Sequence, residues 1–273
     1  MLRSLAHNLP HRKPELWRAL PAALFRQMRL RSGSLPESVT SRLPGDTEIE
    51  VDARDPIGRA IYLYGCYEYE VTQLVRDLLT PQTVFFDVGA NIGYYSLLAA
   101  SRAKLVFAFE PMKKIFDRLA KNVKHNGLSN VTMMNAAVSD RDGDDTMFSN
   151  PSSENTGLAS LQASEGTLPE QVPAVTLDTV MHDQRLARVD LMKIDIEGAE
   201  VRAFAGAKQL LSRPDAPEII FESHAGSGAA DCLKHHGYSI YEFRNQRDYE
   251  APNLFASKRE LPSKILKRLH PLG

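Results

Sequence analysis

From Val84 onward, short runs of consecutive apolar residues alternate with longer polar stretches that carry an apolar residue every three or four positions. The runs over 84–88, 104–109, 131–138, 189–196 and 217–222 read as strands buried on both faces, and the stretches over 93–102 and 112–126 read as amphipathic helices. Gly127 and Gly237 follow helical patterns and suit the residue that ends a helix in a left-handed conformation. Alternating strands and helices predict an α/β chain with a doubly wound, mostly parallel sheet. A further helix over 229–236 and strands over 238–243 and 253–256 would complete it. Upstream, 61–65 reads as a short strand and 68–79 as a helix stopped by Pro81, forming a lid. The polar segment 139–171 reads as a long loop, and 32–56 as a linker or short edge structure.

The first strand runs into Asp87-Val88-Gly89-Ala90-Asn91-Ile92-Gly93. In a parallel sheet, ligands sit beyond the carboxyl ends of strands, where Asp87 would stand and Gly89 and Gly93 would admit a ligand close to backbone. The next strand ends at Glu110-Pro111, 23 positions after Asp87. An acid at that interval commonly binds ribose hydroxyls, and Pro111 suits the first turn of a helix. Both nicotinamide dinucleotides and S-adenosyl-L-methionine carry such a ribose. The turn lacks the G-x-G-x-x-G spacing that seats a diphosphate on backbone amides, which favours the methyl donor.

Further strand ends supply chemistry. Asn135 and Ala136 would flank adenine, and Lys193 and Asp195 share one face of their strand. Charges within a buried strand require partners, so these two either form an ion pair or serve a reaction. Asp195 is the first candidate for general base or acceptor orienter. Lys193 would either act as a cation or, if desolvation neutralised it, as the base. Glu222 and His224 join them at the end of the following strand. Asp195, Glu197, Glu222 and a histidine are hard ligands, but no compact ligand spacing indicates a metal, and none is expected.

In order and interval, the strings DVGANIGYYSL, AFEP, NAAVSDRDG, VPAVTLD and DLMKIDIEGAE resemble the FkbM family of S-adenosylmethionine-dependent methyltransferases, over 64–238. The resemblance implies a Rossmann-like fold of seven strands with helices on both faces, and O-methylation of a hydroxyl on a saccharide, glycolipid or secondary metabolite. It also makes Glu68 a candidate cofactor-binding acid, brings Tyr67 or Tyr69 toward substrate, and points to 155–160 as a binding turn. The expected division is a basic leader and linker over 1–56, a methyltransferase domain over 57–257 and a basic tail over 258–273. A nicotinamide-dependent oxidoreductase and a noncatalytic adaptor retaining the fold are the alternatives.

Composition narrows the partners. With 33 basic and 34 acidic residues, the chain has no excess charge for general nucleic-acid binding. Two distant cysteines, Cys66 and Cys232, give no disulfide framework, and a reducing cytoplasm fits. Before residue 32 the balance shifts, with Arg3, Arg12, Lys13, Arg18, Arg26, Arg29 and Arg31 facing the single acid Glu15. With Trp17 and Phe25, this leader is compatible with weak contact to the inner face of an anionic membrane, although a packed or solvated leader is the simpler reading.

Overall fold

The computed structural model describes residues 35–149, 168–223, 226–244 and 252–272, together with the backbone of 159–160. The leader before residue 35, Asn150, 155–158 of the expected binding turn, and His224 lie outside the described residues.

In chain order, the elements begin with β1 (Val39–Arg42), β2 (Glu48–Val51), α1 (Pro56–Tyr64), α2 (Tyr69–Leu78), β3 (Val84–Val88) and α3 (Tyr94–Ala100). They continue with β4 (Leu105–Phe109), α4 (Lys113–His125), β5 (Val131–Met134), β6 (Ala137–Val138), β7 (Gly143–Ser149), β8 (Ala159–Ser160) and β9 (Leu168–Val175). After these come α5 (Leu177–Asp183), β10 (Leu191–Ile194), α6 (Glu200–Ala205), α7 (Lys208–Ser212), β11 (Glu218–Glu222) and α8 (Ala229–His235). The series ends with β12 (Ser239–Phe243), β13 (Asn253–Ser257), α9 (Ser263–Leu266) and β14 (Leu269–Pro271).

The main sheet has the order β14-β12-β13-β11-β10-β3-β4-β5. Parallel pairing joins β11, β10, β3, β4 and β5, whereas β13 runs antiparallel to β11 and β12. The strands therefore form the expected seven-stranded, doubly wound Rossmann-like arrangement, with β14 added at one edge. Alternation along the strands sends Phe85, Val106 and Leu191 into the core under α1 to α4. Phe86, Phe107, Phe109 and Met192 enter the core on the opposite face, under α5 to α8. All five residues of β3 are buried, which accounts for its unbroken apolar character except at Asp87.

Several local expectations need correction. Residues 61–65 form the end of helix α1, which Asp55 caps through Gly58 N at 2.6 Å and Gly65 ends at φ 72°. Asp-Pro before the apolar stretch and Gly after it are helix boundary signals that outweigh the β-favouring residues between them. The expected third strand divides at Asn135 and Ala136, and β6 leaves to pair with β9 in a second sheet of order β6-β9-β7-β8. Much of the polar segment 139–171 thus belongs to strands. Its core side is sparse, with Met147 and Val172 buried among polar neighbours, so alternation was hard to read.

Both flanks are also integrated. The β1–β2 hairpin buries Ile49 and Val51, with Ala53 buried just after it, while Asn122 of α4 and Asn126, its C-cap, accept from the backbone of Glu50 and Glu48 at 2.9 and 2.7 Å. The segment expected as a basic tail buries Leu261, Ile265 and Leu269 and adds β14 to the sheet. Arg268 of that segment reaches Glu70 at 3.1 Å and Asp77 at 3.2 Å, and Lys264 reaches Asp77 at 2.8 Å, tying it to α2. Among the described residues, no helix is long and apolar enough to cross a membrane.

Candidate active site

The carboxyl ends of β3, β4, β10 and β11 come together because these neighbours run parallel, and their terminal residues carry the polar groups. The β3–α3 turn is internally hydrogen-bonded. Gly89 N and Ala90 N donate to Phe109 O at 3.0 and 2.8 Å, Asn91 N to Glu110 Oε2 at 3.0 Å, and Ile92 N to the Asn91 side chain at 2.7 Å. These four amides of the turn therefore already have partners.

Packing requires the glycine at 89, and backbone conformation chiefly requires the one at 93. A Cβ on Gly89 would lie 1.9 Å from the Asp195 carbonyl oxygen, and one on Gly93 would meet Leu119 Cδ1 at 2.6 Å. Both have positive φ, 82° and 96°, which independently disfavours a side chain.

Asp87 faces inward at 2% exposure, taking the Ser96 hydroxyl at 2.5 Å. Burial raises its pKa to about 6, against the opposing effects of Ser96 and Lys193. Here it braces α3 against β3 more directly than it presents a surface to ligand. Glu110 stands at the β4 tip with Oε1 on Met112 N at 2.9 Å and Oε2 on Asn91 N. Burial raises its pKa to about 7, while those two backbone donors pull it down. Each carboxylate oxygen retains a second lone pair, so the group can still accept from ribose hydroxyls.

Asn135 spends its amide hydrogens on Glu110 O at 2.9 Å and Pro111 O at 2.8 Å. It fixes the β4 exit, leaving its side-chain oxygen as the group that could meet adenine beside half-buried Ala136. Pro111 precedes the Met112 cap and α4, rather than occupying the helix's first turn.

Lys193 and Asp195 do lie together. Lys193 is 1% exposed, with Nζ 3.1 Å from Asp195 Oδ2, 4.0 Å from Glu68 Oε2 and 5.6 Å from the Tyr95 ring centre. Burial opposes its charge, but Asp195, Glu68 and Glu222 outweigh that effect and raise its pKa. The surrounding carboxylates thus favour the charged form of Lys193.

Glu197, one of the hard ligands the sequence offers, takes a place in the acidic cluster. It adopts φ 53° before Gly198 at φ 92°, and buried Glu200 accepts from Ile196 N and Gly198 N at 3.3 Å each. This turn brings ligand atoms of Asp195, Glu197 and Glu222 within 4.8 Å of one another, a spacing also open to a divalent cation. Burial first, then Asp195, raises Glu197 to about 7 and Glu222 to about 8. Tyr67 packs edge-on to Tyr94, with ring centres 6.1 Å apart, and its phenol pKa is raised by burial and then by Glu68, Asp195, Glu222 and Glu197.

Residues 87–251 match the family model described as the methyltransferase FkbM domain. The chain belongs to the FkbM methyltransferase family. This FkbM protein is 26% identical over 206 residues to hexuronic acid methyltransferase AglP of Haloferax volcanii, covering 75% of the chain and 82% of AglP. It is 29% identical over 239 residues to the 31-O-demethyl-FK506 methyltransferase FkbM of Streptomyces tacrolimicus, covering 74% and 89% respectively. A solved FkbM methyltransferase from Methylobacillus flagellatus superposes with TM-score 0.45 at 14% identity, covering 89% of this chain and 59% of that one. Family membership replaces the nicotinamide-oxidoreductase alternative.

Proposed function

We propose that the enzyme transfers a methyl group from S-adenosylmethionine to a hydroxyl of a saccharide, glycolipid or secondary metabolite. The observation that carries this reading is the charge arrangement at the strand ends. Asp195 and Glu68 stand beside one buried cation, Lys193, and Glu197 and Glu222 gather on Asp195. Such a site is short of positive charge and complements a donor bearing an ammonium and a sulfonium. Glu110 would hold the ribose, Ala136 and the Asn135 oxygen would meet adenine, and Glu68 would face the ammonium. Asp87, Gly89, Asn91, Gly93 and Pro111 would shape the turn and strand exits around it.

When bound, the donor supplies an electrophilic methyl that needs alignment more than activation. An alcohol acceptor needs its proton removed as it attacks. Asp195 stands at the rim to accept that proton, and Lys193 holds its carboxylate in one orientation. Glu222 lies within reach of the same acidic group, while His224 remains a sequence-based candidate for orienting the acceptor. Positioning and base assistance are the relevant effects, the base contributing roughly 10²–10⁴-fold. The names of the two relatives, one acting on a hexuronic acid and one on 31-O-demethyl-FK506, accord with a carbohydrate or natural-product acceptor.

The test is incubation with methyl-labelled donor and fractionated small molecules and glycans, followed by mass analysis. A product methylated on oxygen, formed far more slowly with Asp195→Asn, is expected. Label appearing only on nitrogen, or an unaffected Asp195→Asn rate, would overturn the assignment.

A further inference from the structure

Glu68 occupies the residue before α2, where a carboxylate would ordinarily turn back onto the helix amides. It makes no such cap and adopts φ 41°, a conformation that costs a non-glycine residue free energy. Its carboxylate instead points to the sheet. Asn253 Nδ2 donates to Oε1 at 2.5 Å, and Tyr95 OH donates to Oε2 at 2.7 Å. Lys193 is 4.0 Å from Oε2. Three elements, β13, α3 and β10, therefore converge on the side chain that precedes α2.

Anchoring α2 does not explain this convergence. Val71, Leu74 and Val75 are buried, and Arg268 and Lys264 already hold the outer face through Glu70 and Asp77. Asn253 is itself 7% exposed and sits directly opposite Glu222 across the β11–β13 pairing, at the end of the sheet where the other acids gather. A buried amide there is costly without partners, so its bond to Glu68 has a price that an apolar residue would avoid. Burial keeps the Tyr95 phenol protonated, and hence a donor.

We propose that Asn253 and Tyr95 are positioning residues for methyl-donor binding, fixing the Glu68 carboxylate beside Lys193 so that its remaining lone pairs receive the donor's ammonium. This rests on the donor reading given above. Neither residue touches the reacting atoms; both act through Glu68. Asn253 is revealed by the fold alone, because 185 residues separate it from Glu68.

Isothermal titration of the full chain with S-adenosylmethionine tests the proposal. Asn253→Ala should weaken binding on the order of tenfold, as expected for a lost hydrogen bond to a charged group, and Tyr95→Phe severalfold. Asn253→Asp, which keeps the shape but sets like charge against Glu68, should weaken it at least as much as the alanine variant. In a Glu68→Gln background, Asn253→Ala should add little. A purely packing role predicts the opposite pattern: Asn253→Asp retaining affinity, and the Asn253→Ala effect persisting undiminished beside Glu68→Gln. Tyr95→Phe, which removes only a hydroxyl, serves if an Asn253 variant does not fold. Glu110→Gln separates the two levels of argument. Wild-type affinity in that variant defeats the donor reading itself, whereas weakened affinity there with unchanged Asn253→Ala and Tyr95→Phe defeats only the positioning proposal.

Discussion

Replacing Lys193 by methionine preserves most of the side chain's length and removes its charge. The ammonium lies 3.1 Å from Asp195 and 4.0 Å from Glu68. At an effective dielectric near 20, these pairs represent gross attractions of about 5 and 4 kcal/mol. Most of this offsets the cost of burying the ammonium, which methionine does not incur. What remains is the cost of leaving carboxylates without their cation, roughly 3–5 kcal/mol when one partner of a buried pair is removed. Asp195 and Glu68 side chains are 28% and 19% exposed, so partial solvation places the expected loss near the lower end, about 3 kcal/mol. The loss should depend on pH. Burial raises Asp87, Glu197 and Glu222 to about 6, 7 and 8, and Lys193 opposes the rise in each. Groups with raised folded-state pKa contribute stability that is fully present below about pH 4 and is lost as pH rises through those values. Without Lys193 all three rise further, and Lys193→Met should be more destabilised relative to wild type at pH 8 than at pH 5. Urea unfolding followed by circular dichroism at both pH values measures this difference. A deficit below about 1 kcal/mol, or one equal at the two pH values, would refute the claim that Lys193 neutralises the acidic site.

Glu110→Gln should weaken donor affinity on the order of tenfold or more, because its single acceptor oxygen replaces the two that hold Asn91 N and Met112 N and would meet the ribose hydroxyls; calorimetric titration reads this directly, with circular dichroism to check the fold. Asp195→Asn, which removes one of the carboxylates that complement the donor, should weaken donor binding only modestly yet slow transfer at saturating donor by roughly 10²–10⁴-fold, measured in single turnover with labelled donor. Donor affinity should rise from pH 6 to pH 8 as Glu197 and Glu222 lose protons, and binding near pH 7.5 should release protons, seen as a buffer-dependent calorimetric enthalpy. Gly89→Ala should cost about 2–4 kcal/mol in unfolding experiments, from backbone strain plus a Cβ placed 1.9 Å from the Asp195 carbonyl. At Gly65, φ is also positive but no atom lies within 4 Å of the added carbon, and alanine there should cost only about 1–2 kcal/mol.

By itself, the sequence determined the strand–helix alternation, the acids at the tips of β3, β4, β10 and β11, and the family. These were legible because strands buried on both faces are almost purely apolar, making an internal Asp87 or Lys193 conspicuous. Gly89 was equally visible, but its reason was not: the nearby atom is the carbonyl of Asp195, just past β10 and more than 100 residues away in the chain. Tertiary structure alone brought Asn253 and Tyr95 onto Glu68, gave Glu197 a place beside Glu222, and turned the expected basic tail into an edge strand that grips α2. Hydrophobic periodicity records which face of an element is buried. Hydrogen bonds and ion pairs between distant strands depend on pairing order and register, which leave no comparable imprint on neighbouring residues, so those partners emerged only when the sheet closed around them.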